Sequence, residues 1–354
     1  MTRYLLAGGG TAGHVNPLLA VADELRREDP GAEVLVLGTA EGLESRLVPE
    51  RGYELLTIPR LPMPRRLDRT AAVFPAALRA AVRSVRQMIE ARSVDVVVGF
   101  GGYAAAPAYL AVGRGTALAL HEANAKPGIA NRLGACRTKR VGIAFASTPL
   151  RHGRFVGMPL RREIADLDRS ARDAEARAFF GLDERPTLLV TGGSLGSRRI
   201  NSTVLSAAED IIAAGFQVLH LAGGEFATFA NPGLDGYHLI EYCDRMELAL
   251  AVADAAVSRA GAATVSELTA LGIPAVYVPY PVGNGEQRFN AADSVRAGAA
   301  LLVADASFTR EGLTGRLLPV LADSVQRARM SDAARRIGVR DGSERMVALI
   351  HSTP

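Results

Sequence analysis

The residues best suited to chemistry in this sequence sit in short polar clusters, each directly after an apolar run. SRAGAATVSEL, residues 258–268, brings Arg259, Thr264, Ser266 and Glu267 to the end of the run 253–257. A helix start at the carboxyl end of a strand is where an open α/β sheet places its ligand. On spacing alone Glu267 fits two roles. Thr264, Val265, Ser266 and Glu267 match a capping box, in which Glu267 folds back onto its own helix start. An acidic side chain just past a sheet edge also accepts hydrogen bonds from both hydroxyls of a nucleotide ribose. GGGTAGH, residues 8–14, follows the run 3–7. Its glycines let backbone N–H groups approach an anion, and His14 is either a ligand-facing group or an ordinary helix-start residue. HEANAKPGIANR, residues 121–132, packs His, Glu, two Asn, Lys and Arg around one turn, more polar groups than a structural loop needs after a buried strand.

The elements that hold these clusters follow one pattern. Strand 3–7, a glycine loop and a helix through Arg27 open the chain. Strands are expected at 33–37, 94–99 and 117–120, the second leading into GFGGYAAAP, with shorter ones at 141–144 and 155–156. GMPLR, residues 157–161, suits a crossing between domains. After a charged helix, 168–180, the pattern restarts with strand 187–190, the loop TGGSLGS and a helix opening at Arg198. Strands 217–221, 237–240 and 299–303 complete the second set. The repetition predicts an α/β protein of two doubly wound domains facing each other across a cleft.

Composition narrows the function classes. A chain of 354 residues with 48% hydrophobic content supports two cores. No apolar run approaches the roughly 18 residues of a membrane helix, and the N-terminus reads straight into a strand, so the expected location is the cytosol. Cys136 and Cys243 lack metal-ligand spacing. Asp166 and Asp168 form a DxD string, but in a polar connection where carboxylates at a helix start are commonplace. No metal or cofactor is expected. Gly8, Gly10 and Gly13 match GxGxxG, yet no acid closes strand 33–37, which argues against a dinucleotide. Net charge is only +4, but residues 60–92 hold eight arginines against Asp68 and Glu90. Arg65, Arg66, Arg69, Arg79, Arg83 and Arg86, with Phe74, Leu78, Val82 and neighbouring valines, fit an anionic bilayer surface or an ordinary solvated helix face. No aromatic ladder or duplex-reading motif points to nucleic acid.

Taken in order, GGGTAGH, GFGGYAAAP, HEANAKPGIANR, GMPLR, TGGSLGS, SRAGAATVSEL and PYPVGNGEQRFNA resemble the MurG family, the peptidoglycan GlcNAc transferases that make lipid II from lipid I, and in particular its actinobacterial branch. The resemblance spans nearly the whole chain. It implies a GT-B fold of two Rossmann-like domains, 1–157 for the acceptor and membrane and 158–339 for UDP-GlcNAc, with a C-terminal helix at about 340–354 packed back on the first. It implies inverting β(1→4) transfer of GlcNAc to the 4-hydroxyl of the MurNAc of undecaprenyl-diphospho-MurNAc-pentapeptide at the cytoplasmic face of the cell membrane. The partners implied are UDP-GlcNAc, lipid I, the anionic inner-membrane surface and other cell-wall synthesis proteins.

By motif position, Thr11, Ala12 and Gly13 would border the donor sugar and Asn124 would contact it. Arg161 and Ser194 would meet the diphosphate, and the backbone at Cys243 the uracil. Ala262, Ala263, Thr264, Val265, Ser266 and Glu267 would hold phosphate and ribose, while Gln287 and Asn290 read the GlcNAc hydroxyls. His14 is the first candidate for general base, since a neutral imidazole suits proton removal near neutral pH, and Glu122 the second. The chain departs from the commoner family pattern at Ala12, Ala123, Met158, Leu195, Ser197 and Glu286, Leu195 replacing a glutamine beside the phosphates. The rival readings are a UDP-GlcNAc 2-epimerase of the same fold, a noncatalytic UDP-sugar-binding membrane scaffold, and, weakest, an NAD oxidoreductase.

Overall fold

The computed structural model describes residues 1–61, 69–282 and 285–352, with side chains except at 69–72 and 225. Arg65 and Arg66 lie outside the described residues, as does the side chain of Arg69. Among the described residues thirteen strands form two sheets, and every pairing is parallel. The first sheet contains β1 (Arg3–Ala7), β2 (Glu33–Gly38), β3 (Glu54–Thr57), β4 (Val96–Gly99), β5 (Ala117–Glu122), β6 (Arg140–Ile143) and β7 (Gly153–Phe155), in the order β3-β2-β1-β4-β5-β6-β7. The second contains β8 (Thr187–Thr191), β9 (Gln217–Leu221), β10 (Tyr237–Ile240), β11 (Ala253–Ser258), β12 (Ala275–Tyr277) and β13 (Ala300–Leu302), in the order β10-β9-β8-β11-β12-β13. Strand order reverses between β1 and β4, and again between β8 and β11. The glycine-rich loops follow these strands, at the switch points where doubly wound sheets bind ligands.

The strands are nearly continuous runs of Leu, Val and Ala because both faces of a parallel sheet are covered. Period-two alternation sends Leu6, Val36 and Val98 into one core with Val15, Leu18 and Val21 of α1 (Ala12–Glu28). Their neighbours Leu5, Leu35, Leu37 and Val97 enter the opposite core with Tyr109, Val85 and Ile89. The chain divides into two compact units, Met1–Arg161 with the segment from Arg340, and Arg162–Val339. The C-terminal helix Gly342–His351 belongs to the first unit, where Met346, Val347, Leu349 and Ile350 join the α1 core. The Tyr4 hydroxyl meets His351 Nε2 at 2.9 Å. In the second unit Leu188, Val190, Val218 and Val257 pack with Ile200, Val204, Ile211 and Phe308.

Two details differ from the sequence reading. Strand β3 was not foreseen, because this four-residue edge strand is half-exposed and carries no run of buried residues. The proposed membrane face is also split. In α3 (Arg69–Ala91), Ala81, Val85 and Ile89 are buried at four-residue spacing, and Val82 packs against the same core. Val82 therefore faces inward, and Arg86 is tied to the body by a 3.4 Å bond from its Nε to the Ala111 carbonyl. Phe74 and Leu78 are half-buried, and Arg79 and Arg83 are exposed. The apolar stripe of this helix is a core stripe for most of its length.

Each unit buries a neutral histidine. His121 on β5 donates from Nε2 to the Gly157 carbonyl at 2.9 Å, which leaves Nδ1 without a hydrogen and without a partner. His220 on β9 bonds the Tyr237 hydroxyl at 2.7 Å and the side-chain Oδ1 of Asn201 at 3.1 Å, and Asn201 donates from Nδ2 to the Ala222 carbonyl. Burial lowers the pKa of both rings to about 4. In the unfolded chain each titrates near 6.5, so between about pH 6.5 and 4 the unfolded state holds more protons and stability falls as pH falls. The expected slope is about 1.4 kcal/mol per pH unit for each histidine. Urea unfolding at pH 7 and pH 5.5 measures it. His220→Gln should flatten the dependence for the second unit, and an unchanged dependence would refute the assignment.

Candidate functional site

The second unit carries a cavity of about 900 Å³ at the carboxyl ends of β8 and β11. One wall is the loop Thr191–Ser197 and the start of the helix Arg198–Ser206. Ser197 caps that helix, its hydroxyl accepting from Ile200 N at 3.3 Å, a bond an alanine there would lack. The N–H groups of Arg198 and Arg199 have no intrahelical acceptor, and both side chains line the cavity, so this end of the helix favours an anion. Leu195 also lines the cavity and is 85% exposed, so its side chain stands in solvent at the rim.

The opposite wall comes from β11 and the segment after β12. Ser258 ends β11 fully buried, and its hydroxyl has no hydrogen-bond partner among the described residues. Arg259 donates from one nitrogen to the carbonyls of Val278 at 2.9 Å and Pro279 at 3.1 Å and to Asp305 at 2.6 Å. Its guanidinium lies 5.5 Å from the Tyr280 ring centre. Asp305, also 3.7 Å from the Arg199 guanidinium, thereby ties both cationic walls together. Gln287 does similar work: its side-chain oxygen accepts from Ala260 N at 3.2 Å and Tyr280 N at 2.9 Å. Only its amide nitrogen is left to address a ligand. Sequence reasoning missed Asp305, Arg199 and Tyr280. Asp305 lies 46 positions beyond Arg259 and nothing local marks it.

Of the residues singled out from sequence in this unit, Thr264 and Gln287 line the cavity, and Ser194, Cys243 and Glu267 are not among its lining residues. The capping box does not form. The helix runs Ala262–Ala270 with Gly261 as its N-cap and no side-chain cap bond. It starts too early for Thr264 to be the cap, because Gly261 already takes the extended conformation that begins it. Ala262, Val265 and Ser266 are buried, and Ala263 and Glu267 are half-buried on the same helix. Asn290 is 1% exposed and donates from Nδ2 to the Ala260 carbonyl at 3.2 Å, so it braces the loop from within. Burial raises the Cys243 pKa, making it a poor thiolate. Asp168 caps the helix Arg169–Phe180, and Asp166 pairs with Arg162 at 3.0 Å, a structural use of both carboxylates.

In the first unit, Thr11, Ala12, Gly13 and His14 form the start of α1. The Thr11 hydroxyl and His14 Nδ1 are 3.3 Å apart. A Cβ at Gly101 would lie 3.1 Å from the His14 ring, so the imidazole rests on the loop after β4. Glu122 is 3% exposed. One of its oxygens accepts from Asn124 N at 2.9 Å, and the other from Gly128 N and Asn131 Nδ2, each at 2.9 Å. With both oxygens held by N–H donors it is the internal anchor of the 122–131 loop, and the geometry argues against it as a proton acceptor. Asn124 is half-exposed on that loop, and Arg161 keeps a buried Nε with no partner among the described residues. Met158 is buried.

Two doubly wound parallel sheets, the second with an arginine-lined cavity at its switch point, make up the two Rossmann-like units of the GT-B fold class. The glycosyltransferase family 28 N-terminal domain matches residues 4–143, and the family 28 C-terminal domain matches residues 187–346. The chain is 62% identical to the UDP-N-acetylglucosamine--N-acetylmuramyl-(pentapeptide) pyrophosphoryl-undecaprenol N-acetylglucosamine transferase of Leifsonia xyli subsp. xyli, over 99% of each chain. It is 49% identical to the transferase of the same description from Streptomyces coelicolor, covering 99% of this chain and 97% of that one. The crystal structure of Acinetobacter baumannii MurG superposes with a TM-score of 0.80 at 27% identity, covering all of both chains. This chain belongs to that family of N-acetylglucosamine transferases.

The Gln287 clasp is testable without substrate. Gln287→Ala removes the acceptor for two backbone N–H groups and should cost about 1–2 kcal/mol. Gln287→Glu keeps an acceptor for both and should lie nearer wild type in thermal denaturation. Equal midpoints for wild type and Gln287→Ala would show that the clasp carries no stability.

Proposed function

We propose that this chain transfers GlcNAc from UDP-GlcNAc to the MurNAc 4-hydroxyl of lipid I, giving lipid II and UDP with inversion at the anomeric carbon. The observation that carries the proposal is end-to-end identity of 62% to a transferase of that description. The cavity supports it chemically. A departing diphosphate gains charge, and fixed donors aimed at that charge stabilise the transition state more than the ground state. The helix start at Arg198, the Arg198 and Arg199 side chains and the Ser258 hydroxyl would form such a set in the second unit. The proposed donor contacts of Ser194, Cys243, Thr264, Glu267 and Gln287 all belong to this unit. Gln287 would use its amide nitrogen, and Asn290, 1% exposed, would have to become accessible before reading a sugar hydroxyl.

The first unit is the proposed acceptor domain. His14 would take the proton of the attacking hydroxyl, and a single displacement from the face opposite UDP inverts the anomeric centre. Thr11, Ala12, Gly13, Asn124 and Arg161 remain proposed donor contacts on this unit. No helix of the described residues is long and apolar enough to cross a membrane. Peripheral attachment at the cytoplasmic face would therefore rest on Arg79, Arg83, Phe74 and Leu78, with Arg65, Arg66 and Arg69. Sedimentation with anionic vesicles should fall in an Arg79→Glu, Arg83→Glu double variant, and binding equal to wild type would remove α3 from the membrane surface.

Labelled UDP-GlcNAc and a lipid I analogue test the reaction. Disaccharide product and UDP are expected. Epimerised sugar nucleotide without acceptor would favour an epimerase, and donor binding without transfer a scaffold. In the same assay His14→Ala should lower kcat about 100-fold or more, the typical contribution of a general base. Glu267→Ala should raise the KM for UDP-GlcNAc about tenfold or more, as expected for a lost charge-assisted bond. A variant with unchanged kinetic constants loses the assigned role.

A further inference from the structure

A charged side chain lies hidden beneath the first glycine turn. Glu44, at the start of α2 (Glu44–Glu50), is 0% exposed. One carboxylate oxygen accepts from Gly10 N at 2.8 Å; the other accepts from Thr39 N at 2.9 Å and from the Thr39 hydroxyl at 2.8 Å. A Cβ at Gly9, Gly38 or Gly42 would overlap the Glu44 side chain, so these three positions are glycine to make room for it. Of the other two N–H groups of the turn, that of Gly8 donates to the Leu37 carbonyl at 3.1 Å. Burial pushes the carboxyl pKa up, but bonds from the N–H groups of Gly10, Glu44 and Thr39 and from the Thr39 hydroxyl outweigh it and hold the group below its ordinary value.

The turn so fixed touches the proposed base along two routes. Gly10 leads directly into Thr11 and the first turn of α1, which carries His14. Gly9 packs backbone to backbone on Gly102, where a Cβ would overlap the Gly9 carbonyl, and the adjacent Gly101 supports the His14 ring. A substrate diphosphate placed on the same turn would face a carboxylate of like charge, with the Gly10 N–H already taken.

We infer that Glu44 is a positioning residue for the transfer reaction, and that the Gly8–Gly10 turn holds this internal carboxylate in place of a substrate anion. Its task is to set the helix start that presents Thr11 to His14. The inference rests on the proposed transferase reaction for its kinetic readout and on His14 itself for a readout independent of turnover.

The experiment uses the full chain, with Glu44→Gln and Glu44→Ala. Glu44→Gln keeps the shape but sets an N–H₂ against one of the donors. Its kcat should fall about tenfold to 100-fold, the scale of a catalytic group displaced by an ångström or less, with the KM for UDP-GlcNAc unchanged. Glu44→Ala should fall at least as far, and added formate, a carboxylate small enough for the vacated space, should restore part of its kcat while leaving wild type and His14→Ala unaffected. The imidazole NMR signals of His14 should move in Glu44→Gln relative to wild type. Wild-type kcat in Glu44→Gln, unmoved His14 signals, or a Glu44→Ala loss indifferent to formate would each overturn the inference. Should Glu44→Ala fail to fold, the Gln variant decides. Absence of transfer by wild type would defeat the functional proposal instead, and the His14 signals would still decide this one.

Discussion

A carboxylate stripped of water is tolerable only where N–H and O–H donors take the water's place. The loops of this protein are built on that constraint. Glu44 gathers Gly10 and Thr39; Glu122 gathers Asn124, Gly128 and Asn131. In the second unit Asp254 accepts from Thr187 N at 2.8 Å, at the start of β8, and Asp305 anchors Arg259. Removing Glu44 or Glu122 would leave buried donors unpaired, so each of these two acids fixes the path of its loop more firmly than packing alone would.

The two sheets share one strand order, yet the loops at their switch points have opposite characters. After β1 the glycine turn closes on an acid supplied by the chain itself. After β8 the turn lines a cavity, where Arg198, Arg199 and Arg259 gather and Ser258 keeps a hydroxyl with no partner among the described residues. The carboxylate among those lining residues, Asp305, is already bonded to Arg259. A doubly wound sheet provides the same ligand-type corner twice. What separates the two corners is the charge placed beside them, a buried carboxylate at the first and arginines at the second.

Two residues at the cavity show different uses of a wall position. Ser197 caps its helix and so fixes that wall. Leu195 stands in solvent at the rim, so a substitution there would disturb no packing.

Much of the architecture was legible in the chain. Runs such as EVLVLG and VVVG are apolar on both faces, which only a covered parallel strand requires, and a glycine cluster behind each marks a tight strand-to-helix turn. The recurrence of that unit after residue 187 revealed the second domain. Helix stripes were legible too, though not which side each would face: Val82 and Val85 read as a membrane stripe until Ile89 and Ala81 placed them in the core. Of the residues the motifs named, Thr264 and Gln287 line the cavity, and His14 sits at the start of α1. The sequence could not say which polar groups in those neighbourhoods were already spent. That Glu122 is an anchor, that Gln287 has a single free end, that Gly261 rather than Thr264 begins its helix, and that Asp305 and Glu44 belong to these sites at all were decided by tertiary structure. Periodicity records which face of an element is apolar. A hydrogen bond between residues tens of positions apart depends on where the folded chain brings two loops together, and no local pattern carries that information.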